Sequence, residues 1–297
     1  MAQCAEHEVT LIAPFVKIGA LQRIVAEIQE NVRLSLYTRW RPDEIAIGVS
    51  DIEVWPILCE RQLSSMYLCH HLHAKCYVFD SEASVGSANI TSRALGWHSA
   101  PNLEIQVRVS ASNEWVINLL QELRISATLV NDEIASRFKA LALELARQEP
   151  DTAPDTGHTL LVDQPPVSMW LPNTRQPSDL YLAYEGRYDE ISRGGQATAL
   201  VDLNYLGIPP GLSRDNFNSC VAAVMVQHQF FVKIHELSNV QRRFGEYRRF
   251  VREYLTKHDI DRDAADAWQT CLRWLQYFLA DSYQIDTPGY TEFLVRR

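Results

Sequence analysis

Between positions 73 and 89 the chain sets out His73, Lys75, Asp80, Ser87 and Asn89 at short spacing: H-x-K, four residues, Asp80, five residues, then G-S-x-N from Gly86 to Asn89. Residues 73 to 79 read as a strand, because Tyr77 and Phe79 alternate with Cys76 and Val78 in β-favouring types. Side chains two apart on a strand share a face, so His73 and Lys75 project together. Gly86 allows close backbone approach, and Ser87 and Asn89 again lie two apart. One face thereby gathers an imidazole, an ammonium, a hydroxyl and a carboxamide. A phosphodiester suits that set: Lys75 neutralises, Ser87 and Asn89 donate hydrogen bonds, and His73 attacks phosphorus or moves a proton.

The whole pattern resembles the signature of the phospholipase D superfamily, whose members cleave or transfer phosphodiesters through a covalent phosphohistidine. The resemblance implies that His73 is the nucleophile, Lys75 and Asn89 are phosphate binders, Ser87 is a supporting hydroxyl and Asp80 is an acid behind them. The family usually carries six residues between its Asp and Gly, and this chain has five. The family also places a carboxylate on the strand after G-S-x-N to orient the histidine, and Glu104 is the match; read alone, Glu104 is equally an ordinary solvent-facing strand acid.

Two other readings use the same residues. His73 and Lys75 serve equally as plain exposed strand residues. Cys69, His70, His71, His73 and Cys76 form a dense set of possible metal ligands, with 69, 71 and 73 on one strand face. Zinc sites draw on two separated ligand pairs, and the sequence offers no second close Cys/His pair, so neither metal nor cofactor is expected.

The elements that must position these groups follow from periodicity. Val9 to Ile12 is a short strand stopped by Pro14. Leu21, Ile24, Val25 and Ile28 mark an amphipathic helix, and Val32, Leu34 and Leu36 alternate as a half-buried strand. That order calls for a parallel pair with a right-handed crossover. Residues 39 to 64 give no clear pattern, but Arg39 stands at a strand end where a guanidinium holds phosphate well. Strands are expected near Met66–Leu72 and at 103–109, with Leu103, Ile105, Val107 and Val109 on one face and Glu104 on the other. Asn113–Arg124 and Asp132–Arg147 read as helices. The alternation predicts an α/β domain over residues 1–149, a mixed sheet flanked by helices, and this is also the fold that the resemblance implies.

Residues 150–178 hold six of the chain's 13 prolines and read as a semi-rigid linker, with Leu160–Val162 and Trp170 able to pack. Residues 179–297 read as mainly helical and carry no recognisable motif. Leu180–Tyr184 and Ala199–Leu206 read as short strands or irregular chain. Ser213 caps a helix to about Glu236, and Asn239–Lys257 and Asp263–Ala280 are further helices. Asn239–Lys257 carries Arg242, Arg243, Arg248, Arg249, Arg252 and Lys257 against Glu246 and Glu253, a local excess of +4 in a chain of net charge −9. Interleaved with Phe244, Tyr247 and Tyr254, those arginines suit nucleic acid, and they equally suit a solvated face or an acidic partner.

The net charge argues against a surface coated for indiscriminate nucleic-acid binding. Six scattered cysteines fit a reducing cytosol. With no apolar run of membrane-spanning length and no signal-peptide pattern, a soluble cytoplasmic protein is expected. The motif occurs once, whereas the resembled family builds each site from two copies, so the expectation is a homodimer that shares one site. The predicted function is a metal-independent phosphodiesterase, foremost a DNA-cleaving nuclease, with restriction or defence as a setting. The rivals are a phospholipase or phosphatidyl-transferring enzyme, and a non-catalytic nucleic-acid-binding or scaffold protein with a relic site.

Overall fold

A computed structural model describes residues 1–147, 170–208, 210–239, 244–286 and 293–296. The chain forms two compact units, Met1–Glu149 and Pro150–Arg297.

In the first unit the elements are β1 (Glu8–Ile12), α1 (Ile18–Val25), β2 (Arg33–Thr38), α2 (Pro42–Ala46), α3 (Val54–Cys59), β3 (Ser64–Leu68), β4 (Cys76–Phe79), β5 (Glu82–Gly86), β6 (Gln106–Ser110), α4 (Glu114–Ser126), β7 (Thr128–Leu129) and α5 (Asp132–Arg147). Seven strands make one mixed sheet in the order β6-β5-β4-β1-β2-β3-β7. The expected parallel pair is present, with Glu8 to Ile12 of β1 in register with Arg33 to Tyr37 of β2. β4 then runs antiparallel to β1, Ile12 opposite Cys76 and Val9 opposite Phe79. The carboxyl ends of β1, β2 and β3 therefore share one edge of the sheet with the start of β4. In open α/β sheets that edge is where ligands bind.

The sheet is apolar where helices cover it. Ile12, Cys76, Val78 and Ala83 pack with Val116 and Leu123 of α4. The unpatterned stretch from residue 39 holds two short helices. Pro42 opens α2 at a position where its missing N–H costs nothing, and buried Trp40 packs on Phe138 of α5, ring centroids 5.7 Å apart.

Two expectations near the site need correction. The strand read from His73 begins at Cys76, so His73 and Lys75 precede it, although the Gly86 N–H still donates to the Lys75 carbonyl at 3.2 Å. The strand read from Leu103 begins at Gln106. Its apolar row is not a core face throughout. Leu103 is 102% exposed, Ile105 67% and Val107 52%; β6 is an edge strand, and the α4 cluster engages only Val109 of that row.

The second unit contains α6 (Ser178–Tyr184), α7 (Arg193–Leu206), α8 (Arg214–Gln227), α9 (Gln229–Leu237), α10 (Phe244–Lys257), α11 (Ala264–Phe278) and a hairpin of β8 (Tyr283–Asp286) and β9 (Phe293–Arg296). The segments read as strands or irregular chain at 180–184 and 199–206 are helical. In α7, Ser192 accepts the Gly195 N–H at 3.1 Å, and Gly207 at φ 56° ends the helix in the left-handed conformation. The single helix read from Ser213 breaks at His228. That histidine caps α9 by accepting the Phe230 N–H and sets its ring edge-on to Trp170, so it is a packing histidine.

The expected linker lies outside the described residues from 150 to 169, Leu160–Val162 included. From Trp170 onward it is part of the helical unit. Buried Asp202 accepts hydrogen bonds from the Trp170 indole, the Asn173 and Thr174 N–H groups and the Thr174 hydroxyl, at 2.7 to 3.1 Å. Among the described residues no helix is long and apolar enough to cross a membrane.

Candidate active site

Five of the residues singled out by chemistry lie at or next to the end of the sheet where β1, β2 and β3 finish and β4 begins. Lys75 stands opposite Gly86 in the β4–β5 ladder. Gly86 is required there: a Cβ would sit 1.9 Å from the Ile105 carbonyl oxygen. That close approach continues into the next pair, where the Ser87 N–H donates to Ile105 O at 2.9 Å and the Ile105 N–H returns to Ser87 Oγ at 3.0 Å. Ser87 also donates its hydroxyl to Glu104, whose other oxygen takes the Asn102 amide at 3.1 Å. These donors hold the Glu104 carboxyl below the usual carboxylate range, helped by the charge on Lys75. Glu104 is thus fixed beside Lys75 by Ser87 and Asn102.

Asn89 is positioned by its neighbours. Ile90 N–H donates to Phe15 O at 3.1 Å, and Lys17 N–H donates to Ile90 O at 2.9 Å, which pins this loop to the chain leaving β1. The Tyr77 hydroxyl, buried beneath the loop, donates to Ala88 O at 2.5 Å. The Asn89 side-chain oxygen is buried and meets no partner among the described residues. Such an atom costs about 1–3 kcal/mol, and rotation of the amide would offer an N–H donor at the same place.

His73 is exposed, and its ring makes no hydrogen bond among the described residues. Its pKa is held below the ordinary histidine value by partial burial first, then by the charges of Lys75 and Arg39. The shift favours the neutral imidazole. The Lys75 pKa is lowered too, by burial and by Arg39, with Glu104 opposing. Lys75 donates to His73 O at 2.9 Å and forms no ion pair among the described residues.

Arg39, beyond the end of β2, belongs to this neighbourhood. It is paired with Glu44 and reaches Leu72 O at 3.4 Å, immediately before His73. Its charge lowers both the His73 and Lys75 pKa values, yet the Glu44 carboxylate already occupies its guanidinium.

Asp80 is the motif residue that the structure keeps apart. It lies at the opposite end of β4, roughly 20 Å along the chain from His73 at strand rise. At φ 51° it turns the chain into β5, and its carboxylate accepts N–H groups of Glu6, His7 and Glu8 at 2.7, 3.0 and 2.8 Å. Its contacts anchor the start of β1 and do not touch the reacting groups.

Of the possible metal ligands, Cys69 Sγ and His71 Nε2 stay within 3.8 Å of each other. Cys69 and Cys76 are buried in the α4-facing apolar cluster. Among the described residues no three His, Cys, Asp or Glu side chains gather as a ligand set. Of the arginines read on the helix Asn239–Lys257, Arg242 and Arg243 lie outside the described residues; Arg248, Arg249 and Arg252 are exposed on α10.

Sequence reasoning used Tyr77 only as a strand former. The available signal was a phenol within an apolar strand, since a buried tyrosine hydroxyl needs a partner. Asn102 gave no signal beyond its place just before the strand read from Leu103.

No protein-family profile matches the chain, and no curated protein sequence matches it. Solved structures similar to it include a phospholipase D family member, Nuc from Salmonella typhimurium, at 16% identity over 41% of this chain and 79% of that one, with a TM-score of 0.33. NucT from Helicobacter pylori is similar at 12% identity over 41% and 80%, TM-score 0.31. The phosphatidylserine synthase of Haemophilus influenzae Rd KW20 is similar at 11% identity over 52% and 41%, TM-score 0.35. The reading of the site rests on its own residues.

Proposed function

We propose that this protein is a phosphodiesterase of the phospholipase D type, acting on DNA through a phosphohistidine at His73. The observation that carries the reading is the gathering of a His73 whose neutral form is favoured, an ion-pair-free Lys75, the Ser87–Glu104 pair and Asn89 at one end of the sheet. The His73 nitrogen lone pair attacks phosphorus, and the phosphorus–oxygen bond to the leaving group breaks. A second imidazole, protonated, gives its proton to the departing oxygen. That imidazole, now neutral, takes a proton from water as the water oxygen attacks phosphorus, and the phosphorus–nitrogen bond breaks to release His73. Lys75 and Asn89 hold the transition-state oxygens without a metal.

Each chain supplies one such histidine, so the second comes from the partner subunit's His73 in a two-fold homodimer. The exposed row of Leu103, Ile105 and Val107, with Val85 beside it, flanks Glu104 and Ser87 and gives an apolar surface for a second copy. All six cysteines are free thiols, which suits the cytoplasm. Restriction or defence against foreign DNA is a setting such an enzyme fits.

The test offers the purified protein labelled DNA, RNA and phospholipid vesicles in excess EDTA. DNA cleavage that disappears in His73→Ala supports the reading. Turnover of vesicles alone would favour the phosphatidyl-transfer rival, and activity restored only by added metal would overturn the mechanism. Subunit exchange at equal amounts with His73→Asn should leave about a quarter of the sites working, as symmetric pairing requires; half the activity surviving would overturn the shared site.

A further inference from the structure

α10 places its charges in sectors. At 100° per residue, Arg248, Arg252 and Arg249 fall within about 100° of arc, while Glu246 and Glu253 lie together beyond them. Tyr247, Val251 and Leu255 form the buried stripe on the other flank of the arginines. All three arginines are exposed. None forms an ion pair or hydrogen bond among the described residues, although Glu246 and Glu253 share their helix. The chain's net charge is −9, so acid to neutralise them is plentiful. Three guanidinium groups left in water side by side repel one another, and nothing in the packing of α10 uses them.

Arg248 and Arg252, one turn apart, also form a wall of a cleft of about 670 Å³ with Thr256 and Leu255. The segment from Asp259 to Ala265 completes the lining. Its groups are partly engaged: Asp263 caps α11 through the Ala265 and Asp266 N–H groups, and Arg262 pairs with Asp266. Asp259 and Asp261 are exposed in that lining.

We propose that Arg248, Arg249 and Arg252 are a nucleic-acid contact of the helical unit that grips the phosphate backbone. The inference takes only its substrate class, nucleic acid, from the function proposed above. Guanidinium groups match phosphate oxygens in a fork of paired donors and are weakly hydrated, so they part with water readily. The contact is made to backbone, so it carries no base preference. Three phosphates neutralised on duplex DNA add about 2.7 to the slope of log affinity against log salt, roughly fortyfold in affinity between 50 and 200 mM.

The experiment measures binding without cleavage. Full-length His73→Ala protein is titrated with a labelled duplex across that salt range by fluorescence anisotropy, beside the same protein carrying Arg248→Gln, Arg249→Gln and Arg252→Gln. The expected result is weaker binding and a slope shallower by about 2.7, with the melting temperature unchanged. Lysine at the three positions should restore most of the slope, which a merely structural role would not predict. Equal affinity and slope in the glutamine variant would overturn the proposal, as would failure of the parent to bind duplex. Equally tight capture of a polyglutamate peptide, lost with the same arginines, would also overturn it and assign the stripe to an acidic protein. Because binding is compared between two proteins that share His73→Ala, the outcome is independent of whether His73 is the nucleophile.

Discussion

Gly86→Ala tests the claim that backbone proximity builds the site. The added methyl would stand 1.9 Å from Ile105 O and 2.6 Å from Gln106 Oε1. The glutamine side chain can swing away, but the carbonyl belongs to the chain entering β6. An ordinary contact begins near 3.4 Å, so this part of the chain must retreat by about 1.5 Å, beyond what the Ser87 N–H to Ile105 O bond at 2.9 Å tolerates. Losing that bond and straining the Ser87–Glu104 contact should cost roughly 1–3 kcal/mol of stability. A displacement on the order of 1 Å beside the reacting groups should lower kcat/KM about a hundredfold. The assay pairs thermal melting with cleavage of a labelled oligonucleotide. Gly19→Ala is the control: it lies in α1 of the same unit with nothing within 4 Å of the new methyl, and should gain about 0.5–1 kcal/mol with activity kept. A Gly86→Ala enzyme with wild-type melting and activity within twofold would refute the reasoning.

Lys75→Met removes a like charge beside His73, so the imidazole pKa should rise toward 6.5, as read by NMR titration of the ring; no upward movement would separate the two groups. Asp80→Asn should lower the melting temperature at pH 7. The folded-state pKa of Asp80 is depressed by the N–H groups of Glu6, Glu8 and His7, so its stabilisation is full above the unfolded value near 3.9 and is lost as pH falls through the folded one. The gap from wild type should therefore hold above about pH 5 and close below about pH 4; a gap constant to pH 2 would discount the carboxylate. Tyr77→Phe leaves Ala88 O without its donor and should cost about 1–3 kcal/mol with a fall in kcat; unchanged melting and rate would show that the loop holds itself.

β1, α1 and β2 were legible because their apolar residues keep one period without interruption. The motif was legible because side-chain type and spacing alone define what His73, Lys75, Ser87 and Asn89 can do together. Neighbourhood was harder to read. Asp80 falls within the motif in sequence, yet β4 separates it from His73, while Arg39, more than thirty positions away, arrives beside His73 through Leu72 O. The row of Leu103, Ile105 and Val107 carries strand periodicity, but periodicity does not reveal that the strand is an edge and outruns its helix. In the second unit, α7 escaped notice because Gly194, Gly195 and the buried Asp202 break the usual apolar stripe, and α6 because its seven residues are too few to show a helical period. The break at His228 depends on Trp170, a contact across more than fifty residues.

The central claim is that phosphorus is transferred to His73. The direct measurement is a rapid quench of the reaction with a phosphorus-labelled oligonucleotide, kept alkaline because a phosphoramidate is acid-labile, followed by peptide mapping by mass spectrometry. The account predicts a transient adduct on the peptide containing His73, formed at the rate of strand cleavage and missing in His73→Asn. Cleavage at full rate with no adduct, or with the label on another residue, would contradict it.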